Sequence, residues 1–374
     1  MNAVLRIGHD QGLPQPAAGV AVTWRAIFVL LRTAAIALAG GAILTFLDLP
    51  AAWLSGAVIA VGVAAVAGLD TRVPDPVVTG VMILLGASLG AGATPETVRQ
   101  AAEWPLSLVF LVLTVFVVQI AAQAFFRRVA GWDRETSFYA AVPGVLSLVL
   151  MLASTSRANM PRVVVAQSLR VFLLIVLTPS FINLIGSGQA RAVAIVLPVA
   201  GFRDILVTLV AAIAGGILFR LFRVPAAPLF GALAASIAVH AAGFASGVFP
   251  WPLLLVGFVG IGAIAGSRFA GTDLVTLRDT ALASLGGFVV AVGISALCAW
   301  LVATLLGRTF GEVMLAYAPG SLDVMTTLAF ALGLDTAFVA AHQFVRFLIV
   351  GFSLPLWARW MANAPPDKDQ SETA

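Results

Sequence analysis

Long apolar runs, separated by short polar or Pro/Gly-containing stretches, follow one another along most of this chain. A spanning helix needs about 20 mostly apolar residues, and six runs meet that length. They cover residues 26–47, 105–126, 163–185, 193–219, 281–306 and 338–361. Six shorter apolar pieces lie between them, at 53–68, 76–92, 136–156, 227–244, 250–267 and 311–332. The pattern predicts an all-α polytopic membrane protein with about 10–12 transmembrane helices.

The second half of the chain repeats the spacing of special residues in the first half. The stretch "PAAWLSGAVIAVGVAAVAG" from Pro50 aligns with "PAAPLFGALAASIAVHAAG" from Pro225. After a slip of a single residue, the alignment continues without a gap and pairs Pro76 with Pro252, Gly86 with Gly262, Gly90 with Gly266, Pro143-Gly144 with Pro319-Gly320, Gln167 with Gln343, Arg170 with Arg346, and Pro179 with Pro355. This register predicts two tandem homologous repeats.

The duplication divides the chain into four parts. We expect a flexible N-terminus at 1–25, a first membrane repeat at 26–186, a second at 192–361 and a disordered C-terminal tail at 362–374. Six spans per half would make the repeats parallel, and five would make them inverted. Arginines in "FFRRVAGWDRE" favour a cytoplasmic N-terminus by the positive-inside rule.

Composition argues against a soluble domain and against several kinds of site. Hydrophobic residues make up 61% of the chain, charged residues 10%, and the mean hydropathy is +1.05, whereas about a quarter of the residues of soluble domains are charged. The net charge of +4 comes from cations scattered between apolar runs, so we predict no direct nucleic-acid partner. Cys298 stands alone and the three histidines are dispersed in sequence, so we predict neither a disulfide framework, nor a metal site, nor a cofactor.

Two Pro-Gly pairs are the first candidate for a functional site. Pro143-Gly144 and Pro319-Gly320 occupy matching positions inside apolar segments. Proline removes a backbone donor and clashes with the preceding turn, so each pair predicts a broken helix near the repeat interface. A half-helix that begins after a break presents free N–H groups, which bind anions. The alternative is an ordinary proline kink.

Two Gln/Arg pairs, three residues apart on an apolar helix, are the second candidate. They are Gln167 with Arg170 and Gln343 with Arg346, and His342 shares a face with Arg346. Arginine near the centre of a spanning helix costs at least about 2.5–3.5 kcal/mol, which favours a functional role. Snorkelling to the membrane interface, or a structural arginine satisfied by the carbonyls of the broken helix, is the alternative.

Asp323 is the third candidate, because it breaks the symmetry of the repeats. Its counterpart in the first half is Ser147. An acid in one repeat only suits a counter-ion for Arg346, or a cation or proton site. Asp335, in "GLDTA", is expected to cap the next helix instead.

These elements resemble a known family. The two "PG" pairs, each followed by "HQ" or "AQ" and then by Arg and Pro, together with "WLSGA" in the first repeat, are similar to the duplicated AbrB-type membrane family of Gram-negative bacteria, over residues 30–361. The resemblance rests most specifically on Pro319-Gly320-Ser321-Leu322, His342-Gln343 and Arg346. The family's second signature runs closer to Pro-Gly-Gly-Leu-Ser-Glu-Met, so here Ser321 replaces a glycine and the acid has moved one position, to Asp323.

Family members carry the labels "putative ammonia monooxygenase" and "AbrB family transcriptional regulator". Copper oxygenation needs several imidazole ligands, and a DNA-binding regulator needs a soluble reading element, so the residues favour neither label. We therefore expect no enzyme, and any effect on gene expression is expected to be indirect.

The residues favour a secondary transporter of a small anion or carboxylate in the bacterial inner membrane. The expected ligand-binding residues are Pro143, Gly144, Gln167, Arg170, Pro319, Gly320, Ser321, Asp323, His342, Gln343 and Arg346. The alternative is a membrane-embedded sensor or regulator that binds the ligand without moving it. The partners are the lipid bilayer and a small anion, and a homo-oligomer is compatible with the sequence.

Overall fold

The computed structural model describes residues 24–91, 104–144, 146–185, 198–224, 226–272 and 274–362. The predicted flexible N-terminus and C-terminal tail lie outside these residues, except where helices begin at Trp24 and end at Ala362. The described residues form these α-helices: α1 (Trp24–Phe46), α2 (Ala52–Val66), α3 (Asp75–Ala91), α4 (Trp104–Arg128), α5 (Arg134–Ala141), α6 (Leu146–Ala153), α7 (Met160–Ile185), α8 (Phe202–Leu221), α9 (Ala227–Ala241), α10 (Trp251–Gly266), α11 (Leu274–Leu306), α12 (Phe310–Tyr317), α13 (Leu322–Ala331) and α14 (Thr336–Ala362).

Seven of the described helices are long and apolar enough to cross a membrane, namely α1, α4, α7, α8, α10, α11 and α14. Each of the six long apolar runs falls on one of them. Large apolar side chains remain exposed along their outer faces, as at Phe46 and Leu282. Apolar surface of this extent is rare on soluble proteins and is expected where lipid covers it. The structure therefore confirms the predicted polytopic membrane fold.

The chain turns back on itself at both Pro-Gly pairs. After α6, the Arg157 backbone N–H donates to Glu135 Oε2 at 2.7 Å, and the Asn159 N–H donates to Thr136 Oγ1 at 2.7 Å. The end of α6 therefore lies beside the start of α5. We call this helix–turn–helix unit, residues 134–153, hairpin 1.

The second half contains the same arrangement. Arg308 Nη1 donates to Asp335 Oδ2 at 3.3 Å, so the turn after α13 lies beside the start of α12. This unit, residues 310–331, is hairpin 2. Asp335 also accepts the Phe338 N–H at 3.0 Å, which confirms its predicted role as a helix cap.

The two hairpins enter the helical bundle from opposite ends. Hairpin 1 follows directly after the C-terminal end of α4. The base of hairpin 2 leads into α14, and near the start of α14 the Phe338 ring lies 5.9 Å from that of Trp104, the first residue of α4. A helix of 25 residues is about 37 Å long, which separates the two bases by roughly the thickness of a bilayer.

Matched details recur in the two halves. Ala51 and Ala226 precede α2 and α9 in the left-handed conformation, with φ values of 51° and 49°, which is uncommon for residues other than glycine. Among the described residues, each half also combines one hairpin with five other helices. An odd number of spans per half would make a pair of repeats inverted. The duplication itself stays a prediction.

Candidate functional site

The tips of the two hairpins are the turns at Pro143-Gly144 and Pro319-Gly320, and these two tips meet. At Gly144 the φ angle is +90°, and a Cβ atom there would lie 2.9 Å from Arg346 Nη2 and 3.0 Å from the carbonyl oxygen of Gly320. Only glycine accepts both this backbone conformation and this close approach. The predicted helix breaks are thus present, and they face each other.

Arg170 and Gln167 donate hydrogen bonds to the carbonyl groups at the C-terminal end of α5. Arg170 Nη2 donates to Val142 O at 2.7 Å and to Gln167 Oε1 at 2.5 Å, and its Nη1 donates to Ala141 O at 3.2 Å. Gln167 Nε2 donates to Tyr139 O and Val142 O, at 2.8 and 2.9 Å. The last carbonyls of a helix have no hydrogen-bond donors within the helix, and here these two side chains supply the donors.

Arg346 and Gln343 donate in the same way to carbonyl groups at the C-terminal end of α12 and in the turn that follows it. The Arg346 guanidinium donates to the carbonyl oxygens of Ala318 and Gly320. Gln343 Nε2 donates to Leu315 O at 2.6 Å and lies 3.4 Å from Ala318 O. The structural alternative considered from the sequence, an arginine satisfied by broken-helix carbonyls, therefore describes part of what both arginines do.

The two arginine charges are nevertheless not neutralised by the described residues. Arg170 and Arg346 are 5% and 2% exposed, and neither has a described carboxylate within 4.0 Å. The C-terminal ends of α5 and α12 carry about −0.5 charge each, but the N-terminal ends of α6 and α13 carry about +0.5 each. These partial charges offset one another, and two buried positive charges remain beside the tips.

Several buried polar atoms at the second tip have no hydrogen-bond partner among the described residues. They are Arg346 Nε, Gln343 Oε1 and the hydroxyl of Ser321, which precedes α13. Gln343 is 0% and Ser321 8% exposed, so both side chains lie in the interior of the protein. Buried polar groups are usually hydrogen-bonded, so these unpaired atoms require a partner such as a water molecule or an ion.

Asp323 pairs with an arginine other than the one expected. Its Oδ2 atom lies 3.9 Å from Arg268 Nη2, just after the end of α10, and no contact with Arg346 is present. Sequence reasoning missed Arg268. The available signal was that Arg268 and Asp323 both depart from the repeat, where Gly92 and Ser147 stand in the first half.

His342 points along α14 away from the tips. Its Nε2 atom lies 2.6 Å from Ser107 Oγ and its Nδ1 atom 2.8 Å from Phe338 O. The Tyr317 hydroxyl donates to Ser107 O at 2.5 Å in the same cluster. Ser107 and Tyr317 were not identified from the sequence, because these contacts join residues more than 200 positions apart.

The described residues also enclose an apolar cavity. A cavity of about 350 Å³ lies between the starts of α2 and α10 and the end of α13, and Trp53, Trp251, Phe258 and Phe330 line it without any charged residue. The described residues hold no group of three or more His, Cys, Asp and Glu side chains placed to bind a metal ion. Charge and hydrogen-bonding capacity both point to the hairpin tips.

Comparison with known proteins gives matches over nearly the full length. A Bacillus subtilis (strain 168) protein named "Uncharacterized protein YhjN" is 26% identical over 373 residues, covering 91% of this chain and 95% of that protein. An Escherichia coli (strain K12) protein named "Putative regulator AbrB" is 23% identical over 325 residues, covering 86% and 92%. No solved structure matches significantly.

The AbrB family, described as "Transition state regulatory protein AbrB", matches residues 53–362. This span includes both hairpins, both Gln/Arg pairs and, apart from Ala52, every described helix from α2 to α14. The chain is therefore a member of the AbrB family.

Proposed function

We propose that this AbrB-family protein is a carrier of a small anion or carboxylate, which it binds between the hairpin tips. The observation that supports this most strongly is the pair of buried guanidinium groups without a carboxylate partner. An isolated buried charge is costly unless it is paired, and backbone carbonyls provide only partial neutralisation. An anion at the tips supplies the missing charge.

The N-terminal end of α6, in hairpin 1, is a better binding position for this anion than the N-terminal end of α13. The described first turn of α6 carries no acidic residue, whereas α13 has Asp323 in its first turn. A carboxylate already at a helix N-terminus competes with a bound anion for the same N–H groups. The negatively charged group of the ligand therefore lies on the α6 side of the contact between Gly144 and Arg346, and the rest of the ligand extends toward the second tip.

The arrangement of the hairpins supports transport rather than binding alone. Each hairpin enters from a different end of the bundle, and the tips meet between them. Separation of the tips toward one side and then toward the other gives the site alternating access, as in transporters built from inverted repeats. The close packing around Gly144 corresponds to the closed arrangement, and the ligand enters when the tips separate.

Sensing without transport is the second candidate, because the Escherichia coli relative carries the word "regulator" in its name. Any effect on gene expression is indirect and follows from the anion that is bound or carried. The protein acts in the bacterial inner membrane. Flux through the protein separates the two functions, since a sensor binds the anion and does not release it on the other side.

Thermal unfolding of the detergent-purified protein tests the binding site. The panel contains acetate, propionate, glycolate, lactate, chloride, sulfate and phosphate, with sodium and potassium salts compared at two pH values. A ligand at 100 times its dissociation constant stabilises the folded state by about 2.7 kcal/mol if it does not bind the unfolded state. The proposal predicts stabilisation by at least one of these anions that is lost in Arg346→Gln. The absence of stabilisation by every anion in the panel would contradict it.

A further inference from the structure

The two Gln/Arg pairs differ in the hydrogen bonding of the glutamine side-chain oxygen. In the first half, Gln167 Oε1 accepts from Arg170 Nη2 at 2.5 Å, which closes the pair on itself. In the second half, Gln343 Oε1 has no partner, although the side chain is fully buried. The second pair therefore retains an acceptor that the first pair uses internally.

The orientation of this acceptor is fixed by its neighbours. Gln343 Nε2 and Arg346 Nη1 both donate to Ala318 O, so the two side chains lie next to each other. An exchange of the amide oxygen and nitrogen of Gln343 would turn the oxygen toward the carbonyl of Leu315, which now accepts a hydrogen bond at 2.6 Å. The free Oε1 atom thus remains an acceptor beside the arginine.

Unpaired donors lie at the same tip. Arg346 Nε has an N–H without an acceptor, and the Ser321 hydroxyl is one residue from Gly320, whose carbonyl accepts from Arg346 Nη2. The second tip therefore offers a charged donor, a neutral acceptor, and a hydroxyl that can act as either.

A simple carboxylate satisfies only part of this set, because its oxygens are acceptors only. It accepts from Arg346 and leaves Gln343 Oε1 buried without a donor. An anion that carries a hydroxyl next to its carboxylate satisfies both groups, since the hydroxyl donates to Gln343 and accepts from Ser321. We infer that the ligand class is a small 2-hydroxycarboxylate, an inference that rests on the proposed anion site.

Matched pairs of ligands test this directly. Glycolate is compared with acetate, and lactate with propionate, by titration against the full-length protein in lipid nanodiscs. The inference predicts that each hydroxy acid binds at least tenfold more tightly than its partner, a difference of about 1.4 kcal/mol. A site that bonds a ligand hydroxyl discriminates strongly against the analogue that lacks it.

Two serine variants locate the discrimination. Ser321→Ala is expected to reduce the preference for the hydroxy acid by at least threefold. Ser295→Ala in α11, which also removes a buried hydroxyl without a hydrogen-bond partner, is the matched control and is expected to keep the full preference.

Each outcome has a distinct meaning. Equal binding within each pair overturns this inference and leaves the proposed anion site standing. The absence of binding by all four acids, together with the absence of stabilisation by inorganic anions, overturns both. A preference that Ser321→Ala leaves unchanged overturns the assignment of the ligand hydroxyl to the second tip.

Discussion

Arg346 of the second half of the chain packs against Gly144 of the first half, and its Nη2 atom would lie 2.9 Å from a Cβ atom at that glycine. The arginine also donates to the carbonyl of Gly320, so one guanidinium contacts both tips. Because this contact joins two hairpins that enter from opposite ends, any change at Arg346 affects both hairpins.

Gly144→Ala is expected to destabilise the protein strongly. The φ angle of +90° costs an alanine about 1–3 kcal/mol, and the methyl group would also displace Arg346. Thermal unfolding followed by tryptophan fluorescence measures the effect. Gly131 also has a positive φ angle but has open space around its Cβ position, so Gly131→Ala should lower the free energy of unfolding less. Equal losses in the two variants would show that the tips are not packed as described.

Arg346→Lys tests whether charge alone is sufficient. A lysine keeps the positive charge but lacks the planar fork that reaches Ala318 and Gly320 together, so the substitution is not conservative here. We expect anion affinity to fall at least tenfold and the unfolding free energy to fall by about 1–3 kcal/mol, since a buried carbonyl loses its donor. Arg278→Lys, at an exposed position in α11, is the control and should behave like the wild type. Wild-type affinity in Arg346→Lys would exclude a direct role for the guanidinium.

The ion pair of Asp323 and Arg268 should tune anion binding in opposite directions. Removing the acid with Asp323→Asn makes the tips more positive, and Arg268→Gln leaves the acid unpaired. Partly exposed pairs contribute about 0–1 kcal/mol, so we expect changes of up to about fivefold, tighter in the first variant and weaker in the second. Titration at low ionic strength detects them, because salt screens exposed charges.

Glu312→Gln supplies the control for that pair. Glu312 also pairs with an arginine at a partly buried position, but it lies at the base of hairpin 2, away from the tips. Its removal should leave anion affinity near the wild-type value. Affinity changes of the same sign in Asp323→Asn and Arg268→Gln would mean that folding, rather than charge, is being measured.

Ser107→Ala separates the His342 cluster from the anion site. The substitution leaves His342 Nε2 buried without its 2.6 Å partner, which should cost about 1–3 kcal/mol of unfolding free energy. Because His342 lies one helical turn from Arg346 and contacts other residues, we expect unchanged anion affinity. A tenfold loss of affinity at preserved stability would instead return His342 to the ligand site.

The residues of the candidate site could be predicted from the sequence more fully than their arrangement. An arginine in an apolar helix and a repeated Pro-Gly pair are strong signals individually, since both conflict with an ordinary spanning helix. The turn at each Pro-Gly pair was not predictable. The segments at 136–156 and 311–332 are each about as long as one span, so their hydropathy fits a crossing as well as a hairpin.

The contacts that distinguish a hairpin from a single membrane crossing join residues that are far apart in the sequence. Hairpin 1 is closed by bonds from Arg157 and Asn159 to the start of α5, and hairpin 2 by the bond from Arg308 to Asp335. These residues look like ordinary loop polar groups in the sequence. The partner of Asp323 was missed for the same reason, because Arg268 lies on another helix and only packing brings the two together.

Uptake of radiolabelled lactate into proteoliposomes measures transport by the protein. We expect saturable uptake by the wild-type protein, inhibition by unlabelled lactate, and uptake at the level of protein-free liposomes in Arg346→Gln, with Arg278→Lys behaving like the wild type. Lactate binding without uptake would make the protein a sensor instead of a carrier. Full uptake by Arg346→Gln would contradict the assignment of the transported anion to the hairpin tips.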